Sequence, residues 1–188
     1  GYHLLFAPDV CQGPDGRYYL YYAFDFLGIM SVAVCDTPAG EYKFLGHIHY
    51  ADGTLWGRRR GDQLPFDPGV LVDDDGRVWL YSGFYNAVPA ILTGGHKLRC
   101  DGGTVLELEK DMVTIKTEPR VIFPKKGPGA FQGHEFFEAS SIRKIGSQYY
   151  FIYSSMKGHE LCYATSSYPD RDFRYGGVII SNGDIGFN

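Results

Sequence analysis

The sequence contains no run of 18 apolar residues, so no α-helical membrane span is written into it. Its four cysteines, Cys11, Cys35, Cys100 and Cys162, form no C-x-x-C pair, which argues against zinc-finger and dithiol-redox chemistry. It also lacks a basic patch. The formal net charge is −4, and only Arg58-Arg59-Arg60 and Lys125-Lys126 cluster, both in loop-like sequence where solvated charge is expected. Neither nucleic acid nor an anionic membrane is therefore an expected partner. Long stretches of helical periodicity are missing too. Cys11, Cys35 and Cys162 fall in apolar strand-like runs, where a free thiol serves as a small core residue. Reduced thiols favour a cytoplasmic location, with secretion left open because the chain looks truncated at Gly1.

Aromatic residues and glycine are abundant. There are 15 Tyr, 13 Phe and 25 Gly in 188 residues, enough chain for one domain with a real core. Aromatics suit pleated strands and glycines suit tight turns, so the composition predicts an all-β fold.

Short aromatic and β-branched runs recur in a fixed order. Residues 7–22 (APDVCQGPDGRYYLYY), 67–82 (DPGVLVDDDGRVWLYS) and 138–153 (EASSIRKIGSQYYFIY) align without gaps. Leu20, Leu80 and Phe151 then fall 13 residues after the first position, and Gly16, Gly76 and Ser147 fall 9 after it. Each segment predicts a strand, a tight turn and a second strand, with Asp15-Gly16 and Asp75-Gly76 supplying the turn. Residues 28–37 and 158–167 predict third strands, and residues 41–46 and 173–180 predict outer fourth strands. Four antiparallel strands repeated at intervals of 60 and 71 residues predict propeller blades, at residues 1–60, 61–130 and 131–188 of a single partial domain. A sandwich with coincidentally similar hairpins is the competing architecture. About three blades do not close a ring, so a fragment of a larger propeller is expected, with open edges through which copies could associate.

The alignment puts Ala7, Asp67 and Glu138 at the start of the innermost strand of successive blades, where a propeller brings its strand starts together around the central channel. Carboxylates from different blades would share one pocket there, the pairing that glycoside hydrolysis requires. Glu138 lies between Phe136-Phe137 and Ala139, apolar surroundings that raise a carboxyl pKa and suit a general acid. Asp67, followed by Pro68, is expected to stay ionised and to hold the Glu138 proton.

At these residues the chain resembles glycoside hydrolase family 43, whose members are five-bladed β-propellers that cleave arabinofuranosides or xylosides with inversion. The resemblance rests on Ala7-Pro8-Asp9-Val10 before Tyr18-Tyr19-Leu20-Tyr21-Tyr22, on FDPGVLVDDDG at 66–76, and on FFEASSIRK at 136–144. It implies that Asp67 tunes the pKa of the acid and that Glu138 is the acid. Residues 105–112 (VLELEKDM) resemble the family's outer strand. Two departures stand out. Ala139-Ser140 replaces the usual Gly-Pro, and no acidic residue precedes Ala7, where the family carries its catalytic base. The base and a fifth blade are thus expected to lie outside this chain, which alone is expected to be inactive. The resemblance implies an oligosaccharide substrate and no required cofactor. It allows a structural calcium, for which Asp73-Asp74-Asp75 has no calcium-loop spacing and reads as a turn.

Further candidates for substrate binding are Ala7, Phe66 beside Asp67, and Asp9, which strand alternation puts on the same side as Ala7 to bond a sugar hydroxyl or else to brace a turn. Of Trp56, Phe24, Phe26 and Tyr85, in loops leaving the hairpins, one or two are candidates for stacking on a sugar ring and the others are expected in the core. His134 is a candidate for lining the pocket, with loop capping as the alternative. His3, His47, His49, His96 and His159 show no metal-ligand spacing. The other readings of the chain are a non-catalytic sugar-binding or interaction propeller and a β-fructosidase-like hydrolase. The latter ordinarily carries R-D-P and E-C motifs, which are absent.

Overall fold

The computed structural model describes residues 4–24 and 27–181. Their twelve strands fall into three four-stranded antiparallel sheets. In the first sheet β1 (Leu5–Gln12), β2 (Tyr18–Phe24), β3 (Met30–Cys35) and β4 (Lys43–His47) lie side by side in chain order. The second repeats the arrangement with β5 (Gly69–Val72), β6 (Val78–Ser82), β7 (Gly102–Leu108) and β8 (Arg120–Pro124). The third repeats it with β9 (Phe136–Ile145), β10 (Gln148–Ser155), β11 (Leu161–Ser166) and β12 (Arg174–Ile180). The first strands of the sheets neighbour one another in the order β1, β5, β9, as the inner strands of consecutive propeller blades do. That stacking rejects the sandwich. The expected third and fourth strands are present, with one correction: residues 102–108 form the third strand of their sheet, and the outer position belongs to β8.

Successive strand side chains point to opposite faces, and this divides the core between two interfaces. Val78 and Leu80 of β6, with Leu106 and Leu108 of β7, pack against Tyr19, Tyr21, Met30 and Val32 of the first sheet. Trp79, Tyr81 and Val105 point the other way and pack with Phe136, Phe151, Tyr153 and Cys162 of the third. The middle sheet therefore has β6 and β7 buried along their whole length, whereas β2 and β10 alternate. Burying each of these large apolar side chains is worth about 1.5–3 kcal/mol, so the interfaces between sheets supply most of the fold's driving force.

Polar bridges add register to the packing. Asp73, at the end of the first hairpin strand of sheet two, accepts hydrogen bonds from Lys144 and from the Tyr149 hydroxyl of sheet three. Asp75 takes the turn role expected of it by accepting the Arg77 N–H at 3.0 Å. The basic clusters are not the free loop charges expected. Arg58 donates to Leu27 O and Gly28 O, and Arg59 lies 3.4 Å over the Tyr50 ring while pairing with Asp52. Lys125 donates to Tyr85 O. Only Arg60 and Lys126 are exposed. A guanidinium can satisfy several carbonyls at once, which is why an arginine run in a folded loop becomes scaffolding.

Candidate active site

The strand starts differ in detail from the gap-free alignment. Val10, Val70 and Ile142 pair with Leu20, Leu80 and Phe151. The positional equivalent of Ala7 and Asp67 is consequently Ala139, not Glu138. The third hairpin turns on Gly146-Ser147, and the first two on residues 14–16 and 74–76, so the offset is one residue. The backbone agrees: Ala7, Asp67 and Ala139 have φ of 42°, 49° and 62°, a left-handed conformation that non-glycine residues seldom adopt. In β1 and β9 this residue sits in a bulge, a feature that re-aims neighbouring groups.

That irregularity joins the two candidate carboxylates. The Ala139 N–H turns away from its own sheet and donates to Asp67 Oδ2 at 2.9 Å. Glu138, the preceding residue, is thereby carried alongside Asp67. The backbone before Asp67 is fixed by Ser82, whose hydroxyl accepts from the Phe66 N–H at 2.8 Å and donates to Phe66 O at 2.7 Å. Gly69 lets the sheets meet here, because a Cβ would stand 2.7 Å from Ser140 O.

Asp67 is 5% exposed. Burial pushes its carboxyl up to about 7, the Ala139 N–H opposes this, and the nearby charge of Glu138 adds to it. The expectation of a simply ionised aspartate is corrected accordingly: desolvation acts on Asp67 as well as on Glu138. Glu138 is also raised, by burial first, with His159 opposing. His159 Nδ1 lies 3.9 Å from Glu138 Oε1, and its ring meets the Phe137 ring edge-on at 4.5 Å. His159 carries no ligand spacing in the sequence. The available signal was its place in the turn between β10 and β11, at the same end of the sheet as Glu138, because Ser154 pairs with Glu138.

The remaining candidates divide. Ala7 is exposed at the start of its strand. Asp9 accepts the Val70 N–H at 2.8 Å, bracing sheet one against sheet two. Phe66 is 5% exposed, between the rings of Phe6 and Phe84. Tyr85 comes to the site, its N–H donating to Phe137 O at 2.8 Å. Trp56 does not. It is 1% exposed in the core between sheets one and two, so it has no face for a sugar ring. Phe24 ends β2, and Phe26 lies outside the described residues. His134 is also turned elsewhere, stacked on Tyr175 of the outer strand β12 and bonded through Nδ1 to Glu160 at 2.8 Å.

No calcium-type cluster of carboxylates is drawn together among the described residues. The one group of three or more metal-capable side chains is His134, Glu160 and Cys162, a single carboxylate beside an imidazole and a thiol, whereas calcium takes six to eight oxygens. A cavity of about 640 Å³ lined by Gln148, Thr165, Tyr168 and Asp172 lies at the opposite end of sheet three from Glu138 and takes no part in the carboxylate site.

Comparison with known proteins gives the family of the chain. The family model described as glycosyl hydrolases family 43 matches residues 1–174. A xylosidase/arabinosidase of Thermoclostridium stercorarium is 54% identical over 185 residues, 96% of this chain and 37% of that protein. Among solved structures, an α-L-arabinofuranosidase from Clostridium thermocellum superposes with a TM-score of 0.67 at 29% identity, over 94% of this chain and 52% of that one. A β-xylosidase/α-arabinofuranosidase from a compost microbial metagenome, solved with xylotriose in a calcium-free form, gives 0.68 at 30% identity, over 94% and 57%. The chain thus spans between about a third and three fifths of the length of these relatives. With its three propeller-like sheets and this match along nearly its whole length, the chain belongs to family 43 of the glycosyl hydrolases.

Proposed function

We propose that the chain is part of an inverting glycoside hydrolase acting on arabinofuranosides or xylosides of plant-derived oligosaccharides, with Glu138 as general acid and Asp67 as the residue that sets its pKa. The observation that carries this reading is the hydrogen bond from Ala139 N–H to Asp67 Oδ2 at 2.9 Å, which ties the strand bearing Glu138 to the carboxylate of the neighbouring sheet. The xylosidase/arabinosidase relative and the xylotriose-bound neighbour support the substrate class.

The chemistry follows from coupling. Burial raises both carboxyls and the Glu138 charge raises Asp67 further, so near neutral pH the pair holds on to a proton. Glu138 is the more exposed partner, with 27% of its side chain accessible, and so is the one able to deliver that proton to a glycosidic oxygen. Asp67, buried and bonded to the backbone, stays behind as the proton's electrostatic reference. His159 and Tyr85 frame the acid. In an inverting reaction the base stands about 6.5–9.5 Å from the acid to admit a water.

The test uses the full-length protein and nitrophenyl arabinofuranoside and xyloside. Glu138→Gln is expected to lower kcat/KM by about 10²–10⁴-fold on substrates with poor leaving groups, in the range of general acid catalysis. It should lose much less when the leaving group needs no protonation. An unimpaired Glu138→Gln enzyme would remove Glu138 from the acid role.

A further inference from the structure

The face of sheet three that packs on sheet two carries a second group of chemically able side chains, unrelated to the carboxylate pair. We propose that His134, Glu160 and Cys162 form a binding site for a borderline-soft divalent metal ion, with zinc as the fitting ion. The donors are an imidazole nitrogen, a carboxylate oxygen and a thiol sulfur, a set that suits zinc and excludes calcium and magnesium.

The three come from two separate segments. His134 belongs to the connection running from β8 to β9, which crosses from sheet two to sheet three. Glu160 ends the turn before β11, and Cys162 lies within β11, two residues on, so both side chains share one face of the sheet. Their ligand atoms all lie within 4.8 Å of one another. His134 Nδ1 stands 2.8 Å from Glu160 Oε2 and 4.0 Å from Cys162 Sγ. Tetrahedral zinc with bonds of about 2.0–2.3 Å holds its ligand atoms about 3.3–3.7 Å apart, so side-chain movements of about 1 Å or less complete the site.

Burial and support distinguish this group from a surface ion pair. Cys162 is 0% and Glu160 8% exposed. The His134 ring is set by stacking on Tyr175, with centroids 4.9 Å apart at 16°, and the His134 carbonyl accepts the Tyr153 hydroxyl at 2.7 Å. Such outer contacts orient metal ligands. A histidine–glutamate hydrogen bond would account for two of the residues without a metal. Apolar packing with Phe136 and Phe151 accounts for the burial of Cys162, but neither it nor the ion pair requires the sulfur to stand 4.0 Å from the same nitrogen that bonds the carboxylate. Three protein ligands leave a fourth position, beside which the Tyr175 hydroxyl stands 3.9 Å from Sγ. A metal here would staple the crossing between sheets four residues ahead of Glu138, as a structural clip and not as a participant in hydrolysis.

The experiment takes full-length protein stripped with a chelator and titrates it with zinc by calorimetry and with cobalt(II) by absorption. The expected results are saturable single-site binding, a thiolate-to-cobalt charge-transfer band, and a rise in Tm with added zinc. Cys162→Ala should abolish the band and weaken zinc by more than about 100-fold, beyond the usual cost of losing an outer contact. Should Cys162→Ala fail to fold, the near-isosteric Glu160→Gln decides, with at least about a tenfold loss of affinity expected. Absence of metal uptake by the wild type, or affinity and band unchanged in these variants, would overturn the proposal.

Discussion

At the scale of single residues, the site is built by placing groups where they are uncomfortable. Asp67 is a carboxyl with a pKa near 7 in the fold against 3.8 in the open chain. Its stabilising contribution is therefore present below pH 3.8 and is lost as pH rises towards 7. Above pH 7 the buried charge costs up to about 4 kcal/mol. Asp67→Asn keeps an oxygen to accept the Ala139 N–H and removes the charge. We expect its Tm to exceed that of wild type at pH 8, to match it near pH 4, and its hydrolytic activity to fall, a stability–activity exchange seen at strained sites. Thermal melts across that pH range check the sign. Ala139 makes the same point through the backbone. At φ 62° an L-residue is strained, and glycine, the family's usual residue here, is not. Ala139→Gly is expected to stabilise by about 0.5–1 kcal/mol, read as a higher urea midpoint at constant slope.

At the scale of elements, the hairpin turns do more than reverse the chain. Asp73 stands where the first hairpin of sheet one has Gly13, and it uses that position to bind Lys144 and Tyr149 across the interface. Burial pushes its pKa up, but the hydrogen bonds from Lys144 and Tyr149 outweigh this and hold it below the usual value of 3.8. The bridge thus contributes stability above pH 3.8 that is lost as pH falls through the lowered pKa. Asp73→Asn should cost about 1–3 kcal/mol at pH 7, and the deficit should shrink below pH 3.8; chemical denaturation at both pH values tests it. The triple Asp73-Asp74-Asp75 was legible as a turn because Asp-Gly chemistry is local. Its bridging half was not, because Lys144 is 71 residues away.

At the scale of the whole molecule, the middle sheet bears the load. Leu80 is 0% exposed between sheets one and two, in a strand whose other face is equally covered. Leu80→Ala is expected to destabilise by about 2–5 kcal/mol, measured by equilibrium unfolding, because neighbours held in two interfaces relax little into the cavity.

The repeat of aromatic strands and Asp-Gly turns was enough to determine the all-β class and the four-strand unit, since strand alternation and turn chemistry are local properties, while the family was legible only as a resemblance of motifs around Ala7, Asp67 and Glu138. Asp67 and Glu138 stood out for the same reason. Tertiary structure alone decided the rest. The one-residue offset that makes Ala139 the counterpart of Asp67 depends on pairing between strands, and it puts a backbone N–H on the aspartate. Trp56 and Phe66 were candidates for contacting a sugar with core packing as the alternative, and the structure decides for the core, because an apolar ring is buried wherever two sheets leave room for it. The approach of His159 to Glu138, and of His134 to Glu160 and Cys162, likewise joins residues whose separation along the chain carries no signal until the strands are paired.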